Sequence, residues 1–275
     1  MPQRFIAYAG LRKTVIGSSL DGHLERLEEL GYTILPDVLS GSECRELAGR
    51  MDALAEEQLK RFGLERLRSL NEYGVLRGLF AEDAGFLKLV THPAVWEVVA
   101  AIVGDTAILH LQNGIYVDPS ADHHQAAFHR DFAKDFVADR VLSLNALWVI
   151  DSFTVETGAT ELVPRTHRSS VVPSEAFLEE NCVPVCAPAG SVVLFDSLLI
   201  HRAGTNRSAH RRRAINHQYT RPFIKQQMDA VALMSGRIDV ESKLGQVLGF
   251  WSVPPKSVEE FRCDPDKRTY RAGQG

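Results

Sequence analysis

Four stretches downstream of Gly104 limit the fold more than anything else in the chain: AILHLQNGIYV, RVLSLNALWVI, GSVVLFDSLLI and RRAINHQYTRPF. Each is rich in β-branched, aliphatic and aromatic residues. Turn-forming sequence such as DPSADHH, VETGAT and APAGS separates them, so they read as strands. Upstream the texture is helical. DGHLERLEELG carries Leu24, Leu27 and Leu30 at helical spacing, with Gly31 as a cap. YTILP follows as a short strand stopped by Pro36. SGSECRELAGRMDALAEEQLKRFG has Ser40 and Glu43 at capping-box spacing and ends at Gly63. HPAVWEVVAAIVG has Pro93 in its first turn and Gly104 past its end. A last helical piece is expected around residues 229–247, followed by a polar tail wrapping the surface. Helices first and strands second argue for one α+β domain over residues 1–275, with a largely antiparallel sandwich or barrel.

Bulk properties narrow the function. At 275 residues, 45% hydrophobic and 24% charged, the chain has the composition of a soluble globular protein with a substantial core. A net charge of −4 gives no case for nucleic acid or an anionic membrane as partner, and the basic run HRRR is short. Arg12 and Lys13 break the apolar N-terminal runs, where a signal peptide needs a longer uninterrupted apolar region, so none is expected. No stretch approaches the roughly 18 apolar residues of a membrane span. Cys44, Cys182, Cys186 and Cys263 form neither a paired zinc pattern nor a disulfide framework. The expectation is a cytoplasmic enzyme with a small-molecule substrate. No pattern specifies an oligomer.

The segment AAFHRDF puts His129 and Asp131 two residues apart among apolar neighbours. In extended chain, residues i and i+2 point to one side, so these two aim together and Arg130 aims away. An imidazole and a carboxylate on one side are either a hydrogen-bonded pair or two ligands awaiting a third. Two histidines and one carboxylate on one face, with open positions, form the ligand set of non-haem Fe(II) oxygenases. The third candidate is His201, where the apolar strand GSVVLFDSLLI breaks into the polar loop HRAGTNRS. A strand-end histidine opens into a barrel mouth, where sites are commonly built. Farther on, alternation in RRAINHQYT puts Arg212, Ala214, Asn216 and Gln218 on one face and Arg213, Ile215, His217 and Tyr219 on the other. An arginine at a strand start near a metal suits a carboxylate through its bidentate fork. The plain alternative is a solvated basic patch. Gln112 in LHLQNGIYV could reach the pocket by the same strand logic, or could lie on the surface. His123 and His124 read as solvated loop residues, and His110 and His217 as satisfied sheet histidines.

With these residues in view, the sequence resembles the phytanoyl-CoA dioxygenase family of Fe(II)/2-oxoglutarate-dependent oxygenases. The likeness runs over about residues 20–260. FHRD matches the family's His-x-Asp. ETGATELVPRTH matches its Gly-Ala…Val-Pro-Gly-Thr/Ser-His segment. FDSLLIHRAGTNRSAHRRRAIN matches its distal histidine and arginine, and LEELGYTILPDVLSGSEC its opening. Arg165 stands where the family usually has glycine, at a turn that touches no ligand.

The resemblance implies a double-stranded β-helix, or jelly roll, with helices outside. It implies Fe(II) held by His129, Asp131 and His201, with 2-oxoglutarate and O2 as cosubstrates and Arg212 on the distal 2-oxoglutarate carboxylate. Trp148 matches a family tryptophan near the cosubstrate. Thr160, by its place in the Gly-Ala-Thr segment, could hydrogen-bond it or be an ordinary strand threonine. His167 in PRTHR is usually structural in the family. The retained aspartate disfavours halogenation, which needs a small residue there, and leaves hydroxylation as the leading outcome. The substrate is expected to be a medium-sized, partly apolar metabolite, as in natural-product biosynthesis. A CoA thioester would call for positive charge at the mouth, which Arg202, Arg207, Arg211 and Arg213 could supply. Rival readings are a cupin-type metal enzyme without 2-oxoglutarate and a non-catalytic small-molecule-binding relative.

Overall fold

The structure, a computed structural model, describes residues 4–119, 125–131 and 137–274. Its centre is an antiparallel six-stranded sheet. The strand order is β3 (Tyr32–Leu35), β9 (Val192–Asp196), β6 (Ser143–Val149), β11 (Arg212–Thr220), β5 (Ile108–Val117) and β4 (Val75–Arg77). A smaller antiparallel sheet has the order β10 (His201–Arg202), β7 (Glu161–Leu162) and β8 (Val183–Pro184). A bridge from His129 to His201 adds the His129 segment beside β10. A separate hairpin of β1 (Phe5–Tyr8) and β2 (Leu11–Thr14) stands at the N-terminal end.

Alternation along β6 sorts its side chains between two cores. Leu144, Ala146 and Trp148 join the apolar layer beneath the helices. Leu147 and Val149 turn the other way. There they meet Phe195 of β9, Ala214 of β11 and Leu162 of β7. That second core draws on both sheets, so it lies between them, and the architecture is the expected double-stranded β-helix. Every residue of β6 is buried, and each fully buried large aliphatic side chain contributes about 1.5–3 kcal/mol over exposure.

Local signals explain the outer helices. α1 (Ser19–Leu30) starts where the Ser18 hydroxyl accepts from Asp21 N–H, and ends at Gly31 with φ 85°. A Cβ at Gly31 would sit 2.6 Å from His167 Nδ1, so the position needs both the left-handed backbone and the missing side chain. α2 (Gly41–Phe62) carries the full Ser40/Glu43 capping box. Pro93 opens the Pro93–Ile102 helix. The helix expected over 229–247 is instead two short ones, Ala230–Met234 and Lys243–Val247. Gly236 takes φ 71° between them, and the Ser242 hydroxyl caps the second by accepting from Gly245 N–H. Among the described residues no single helix is long and apolar enough to cross a membrane.

Candidate active site

His129 and His201 face each other through the bridge that joins their strands: each N–H donates to the other's carbonyl, at 2.9 and 3.0 Å. Asp131 follows and is tied in turn, its N–H donating to Ser197 O at 3.1 Å. One ligand atom from each of the three side chains lies within 4.8 Å of the others. The histidines are oriented from behind. His129 Nδ1 lies 2.9 Å from Ala127 O and His201 Nδ1 2.9 Å from Leu199 O. A carbonyl can only accept, so Nδ1 carries a proton in both rings and Nε2 is the nitrogen turned toward Asp131. Those Nε2 atoms stand 3.4 and 3.5 Å from the Asp131 carboxylate oxygens. Burial pushes the Asp131 carboxyl up, but His201 and His129 outweigh it and hold it well below the usual carboxylate range. Two imidazole nitrogens and one carboxylate oxygen are a complete facial set for a divalent metal. Arg130 aims away as expected and anchors the loop, donating to Thr166 O and Ser169 O.

Arg212 starts β11 on the interior face. It is 3% exposed, stacks over Phe153 at 4.1 Å, and has Nε and Nη1 buried with no hydrogen-bond partner among the described residues. Deep burial pulls its guanidinium down to about 9, against the pull of Asp151. A buried cation with unmet donors in the core that also contains the His201 neighbours Phe195 and Leu199 fits a dicarboxylate reaching in from a metal. Thr160 is buried just before β7, its carbonyl accepting from Val185 N–H at 2.9 Å.

Trp148 and Gln112 are not brought to this site. Trp148 belongs to the helix-covered core, with His92 and His217 rings at 5.5 and 5.7 Å. Gln112 Nε2 donates to Phe86 O and meets His217 Nε2 at 2.8 Å. His217 donates its Nδ1–H to Tyr219 Oη, which in turn donates to Val90 O. Burial drives the His217 imidazole down to about 3, so it stays neutral. This is a structural network on the opposite face from Arg212, and His217 is the satisfied histidine expected. His167 is likewise buried, its Nε2 3.3 Å from Glu28 O. His123 and His124 lie outside the described residues.

Asn145 was not singled out from the sequence, Asn216 was named only for its face, and His110 was expected to be a satisfied sheet histidine but has Nδ1 buried without a hydrogen-bond partner among the described residues. Asn145 of β6 donates from Nδ2 to Asp131 Oδ2 at 2.7 Å. Asn216 of β11 has its Oδ1 buried without a partner among the described residues. His110 turns inward because a bulge opposite Gln218/Tyr219 skips it in the ladder. A cavity of about 180 Å³ includes Asp131 in its wall together with Arg77, His110, Asn113, Asn216 and Gln227. A polar residue centred in an apolar strand, as in LSLNALW, was the signal available for Asn145.

The sequence model of the phytanoyl-CoA dioxygenase family matches residues 27–214. An uncharacterized protein of Mycobacterium tuberculosis is 40% identical over 266 residues, which cover 94% of this chain and 97% of that protein. The structure of EctD from S. alaskensis, solved with 2-oxoglutarate and 5-hydroxyectoine, aligns at TM-score 0.61 and 22% identity, over 71% of this chain and 74% of that one. The non-heme alpha ketoglutarate dependent epimerase SnoN from nogalamycin biosynthesis aligns at TM-score 0.56 and 19% identity, over 74% and 80%. These two likenesses show the shared fold.

Proposed function

Because the chain belongs to the phytanoyl-CoA dioxygenase family, we propose that it is an Fe(II)- and 2-oxoglutarate-dependent oxygenase acting on a C–H bond of a small metabolite, with hydroxylation the usual outcome. The single observation that carries the reading is the convergence of His129, Asp131 and His201 within 4.8 Å. The partnerless guanidinium nitrogens of Arg212 support the cosubstrate assignment. Bound iron would supply the chemistry that couples O2 and 2-oxoglutarate to substrate oxidation, releasing succinate and CO2.

The chain's own part is positional. His129 and His201 present Nε2 because backbone carbonyls hold their Nδ1 protons. Asp131 supplies the anionic oxygen. Arg212 grips the far carboxylate of 2-oxoglutarate and fixes which end reaches the metal, and Thr160 is assigned to hydrogen-bond the cosubstrate by its place in the Gly-Ala-Thr segment alone. The apolar wall of Phe153, Leu147 and Val149 keeps water from that grip. We take residues 1–275 as one domain, since a single sheet draws strands from Tyr32 to Thr220. Four unpaired cysteines support placing it in the reducing cytoplasm.

For the substrate, two observations modify what the sequence led us to expect. Three of the four arginines available to a CoA thioester are already committed to carboxylates: Arg202 to Glu161 and Glu179, Arg211 to Asp118, and Arg213 to Asp151 and Asp52. Arg77, the cation in the cavity wall, is held by Glu72 at 2.7 Å. The wall beside Asp131 is mainly carboxamide and imidazole, which favours an uncharged, hydrogen-bonding substrate face over a largely apolar or strongly anionic one.

Succinate release from 2-oxoglutarate under air, with Fe(II) and ascorbate, tests the proposal without knowledge of the substrate. Slow uncoupled turnover is expected in the wild type and its loss in His201→Ala. Equal release by both proteins would refute the assignment.

A further inference from the structure

A carboxylate can bind a metal through one oxygen or through both. If Asp131 used both, it and the two histidines would fill four positions of an octahedral metal and leave two. A keto acid chelating through two oxygens, together with O2, needs three. One-oxygen binding by Asp131 is therefore a requirement of the reaction proposed above, and something must enforce it.

We propose that Asn145 is a positioning residue that confines Asp131 to one-oxygen metal binding and so keeps three adjacent metal positions open. The inference rests on the Fe(II)/2-oxoglutarate reading. The two carboxylate oxygens face the histidines equally, Oδ1 at 3.4 Å from His129 Nε2 and Oδ2 at 3.5 Å from His201 Nε2. Asn145 Nδ2 donates to Oδ2 at 2.7 Å and so occupies that oxygen, which makes Oδ1 the one offered to the metal. The amide can take only this orientation, since its swapped form would aim Oδ1 at a carboxylate.

Both ends of the contact are fixed. Asn145 sits in a central strand, in register with Gln218 on one side and Phe195 on the other. The Asp131 backbone is tied to Ser197 O.

The amide is also a poor choice for the fold alone. Asn145 is 0% exposed, and its Oδ1 has no hydrogen-bond partner among the described residues. A buried carboxamide with an unmet acceptor costs stability. Leucine, nearly the same in size, would carry no such penalty in a strand that is apolar on either side. What the asparagine provides and leucine cannot is the bond to Asp131.

The test uses Co(II), whose visible absorption weakens as its coordination number rises, as a stand-in for Fe(II). Wild type, Asn145→Leu and Asn145→Ala are compared for metal-free melting temperature, Co(II) affinity and the spectral response to 2-oxoglutarate. The leucine variant should melt no lower than wild type, bind Co(II) about 10–100-fold more weakly, and lose the 2-oxoglutarate response. The alanine variant should keep part of that response, because water can enter and donate to Oδ2. Two results would overturn the proposal. One is a leucine variant that matches wild type in Co(II) affinity and in its response. The other is a large fall in melting temperature in both variants, which would make the amide a fold-holding group. If 2-oxoglutarate leaves the wild-type Co(II) spectrum unmoved, the cosubstrate reading fails. In that case the Co(II) affinities still decide whether Asn145 grips Asp131.

Discussion

Replacing Arg212 with methionine should make the metal-free protein more stable while destroying its response to 2-oxoglutarate. Burial takes this guanidinium from its ordinary 12.5 to about 9. At about 1.36 kcal/mol per pKa unit, keeping it charged at neutral pH costs the fold on the order of 5 kcal/mol. The stack over Phe153 at 4.1 Å returns about 1–2 kcal/mol. Methionine fills similar space without the charge, so the metal-free variant should gain about 3–4 kcal/mol. For a domain of this size that is roughly 6–15 °C in melting temperature. The gap should then narrow on loading. With Co(II) bound and 2-oxoglutarate at about 100 times its Kd, the wild type gains about 2.7 kcal/mol and the variant gains nothing from the keto acid. Scanning calorimetry of both proteins, with and without Co(II) and 2-oxoglutarate, reads all four states. A metal-free variant that melts well below wild type would mean the guanidinium is satisfied within the fold. A variant that keeps the 2-oxoglutarate shift would mean another group holds the carboxylate. Either result refutes the reasoning.

Asp196 is buried, which pushes its carboxyl up to about 6, against the pull of the Leu198 N–H it accepts from. A raised acid favours the folded state while protonated. Its contribution is therefore full below about pH 4 and is lost as pH rises to about 6. Asp196→Asn keeps the bond to Leu198 N–H. In urea titrations its stability relative to wild type should rise by about 2–3 kcal/mol between pH 4 and pH 7; an unchanged difference would refute the assignment. Trp148→Phe should cost about 1–2 kcal/mol of stability through lost packing and leave 2-oxoglutarate affinity within about twofold by titration; a larger loss of affinity would put Trp148 back at the cosubstrate. Arg165 occupies φ 70°, a conformation costing a side-chain-bearing residue about 1–2 kcal/mol. Arg165→Gly should therefore raise the urea midpoint by up to about 1 kcal/mol of stability after the entropy that glycine loses.

Where one side-chain pattern had one physical meaning, the sequence was readable. Ser40 with Glu43 could only begin a helix, and the i, i+2 spacing of His129 and Asp131 could only aim both to one side of an extended chain. Arg212, Ala214, Asn216 and Gln218 do share the interior face. The pattern did not say which face of a doubly buried strand is the interior. All of β6 and most of β5 are buried, so alternation separated Trp148 from Asn145 without telling which one meets the metal. Trp148 and Gln112 fell on the helix side for that reason. The bulge that turns His110 inward comes from register with a strand about a hundred residues away, which no local pattern encodes. The two-residue strands β7, β8 and β10 are too short to show a period. Arg165 was visible as a departure from a family glycine, and its left-handed backbone supplies the reason for that glycine.

The central claim is that His129, Asp131 and His201 hold Fe(II) in a form that 2-oxoglutarate can chelate. Anaerobic absorption spectroscopy tests it most directly. Fe(II) and then 2-oxoglutarate are added to the metal-free protein, and the weak visible metal-to-ligand charge-transfer band is followed. The account predicts a band in the wild type, absent in His129→Ala at the same Fe(II) and strongly weakened in Arg212→Ala. A folded wild-type protein that binds Fe(II) yet gives no band would contradict the cosubstrate assignment, and a band of equal strength in His129→Ala would contradict the metal site itself.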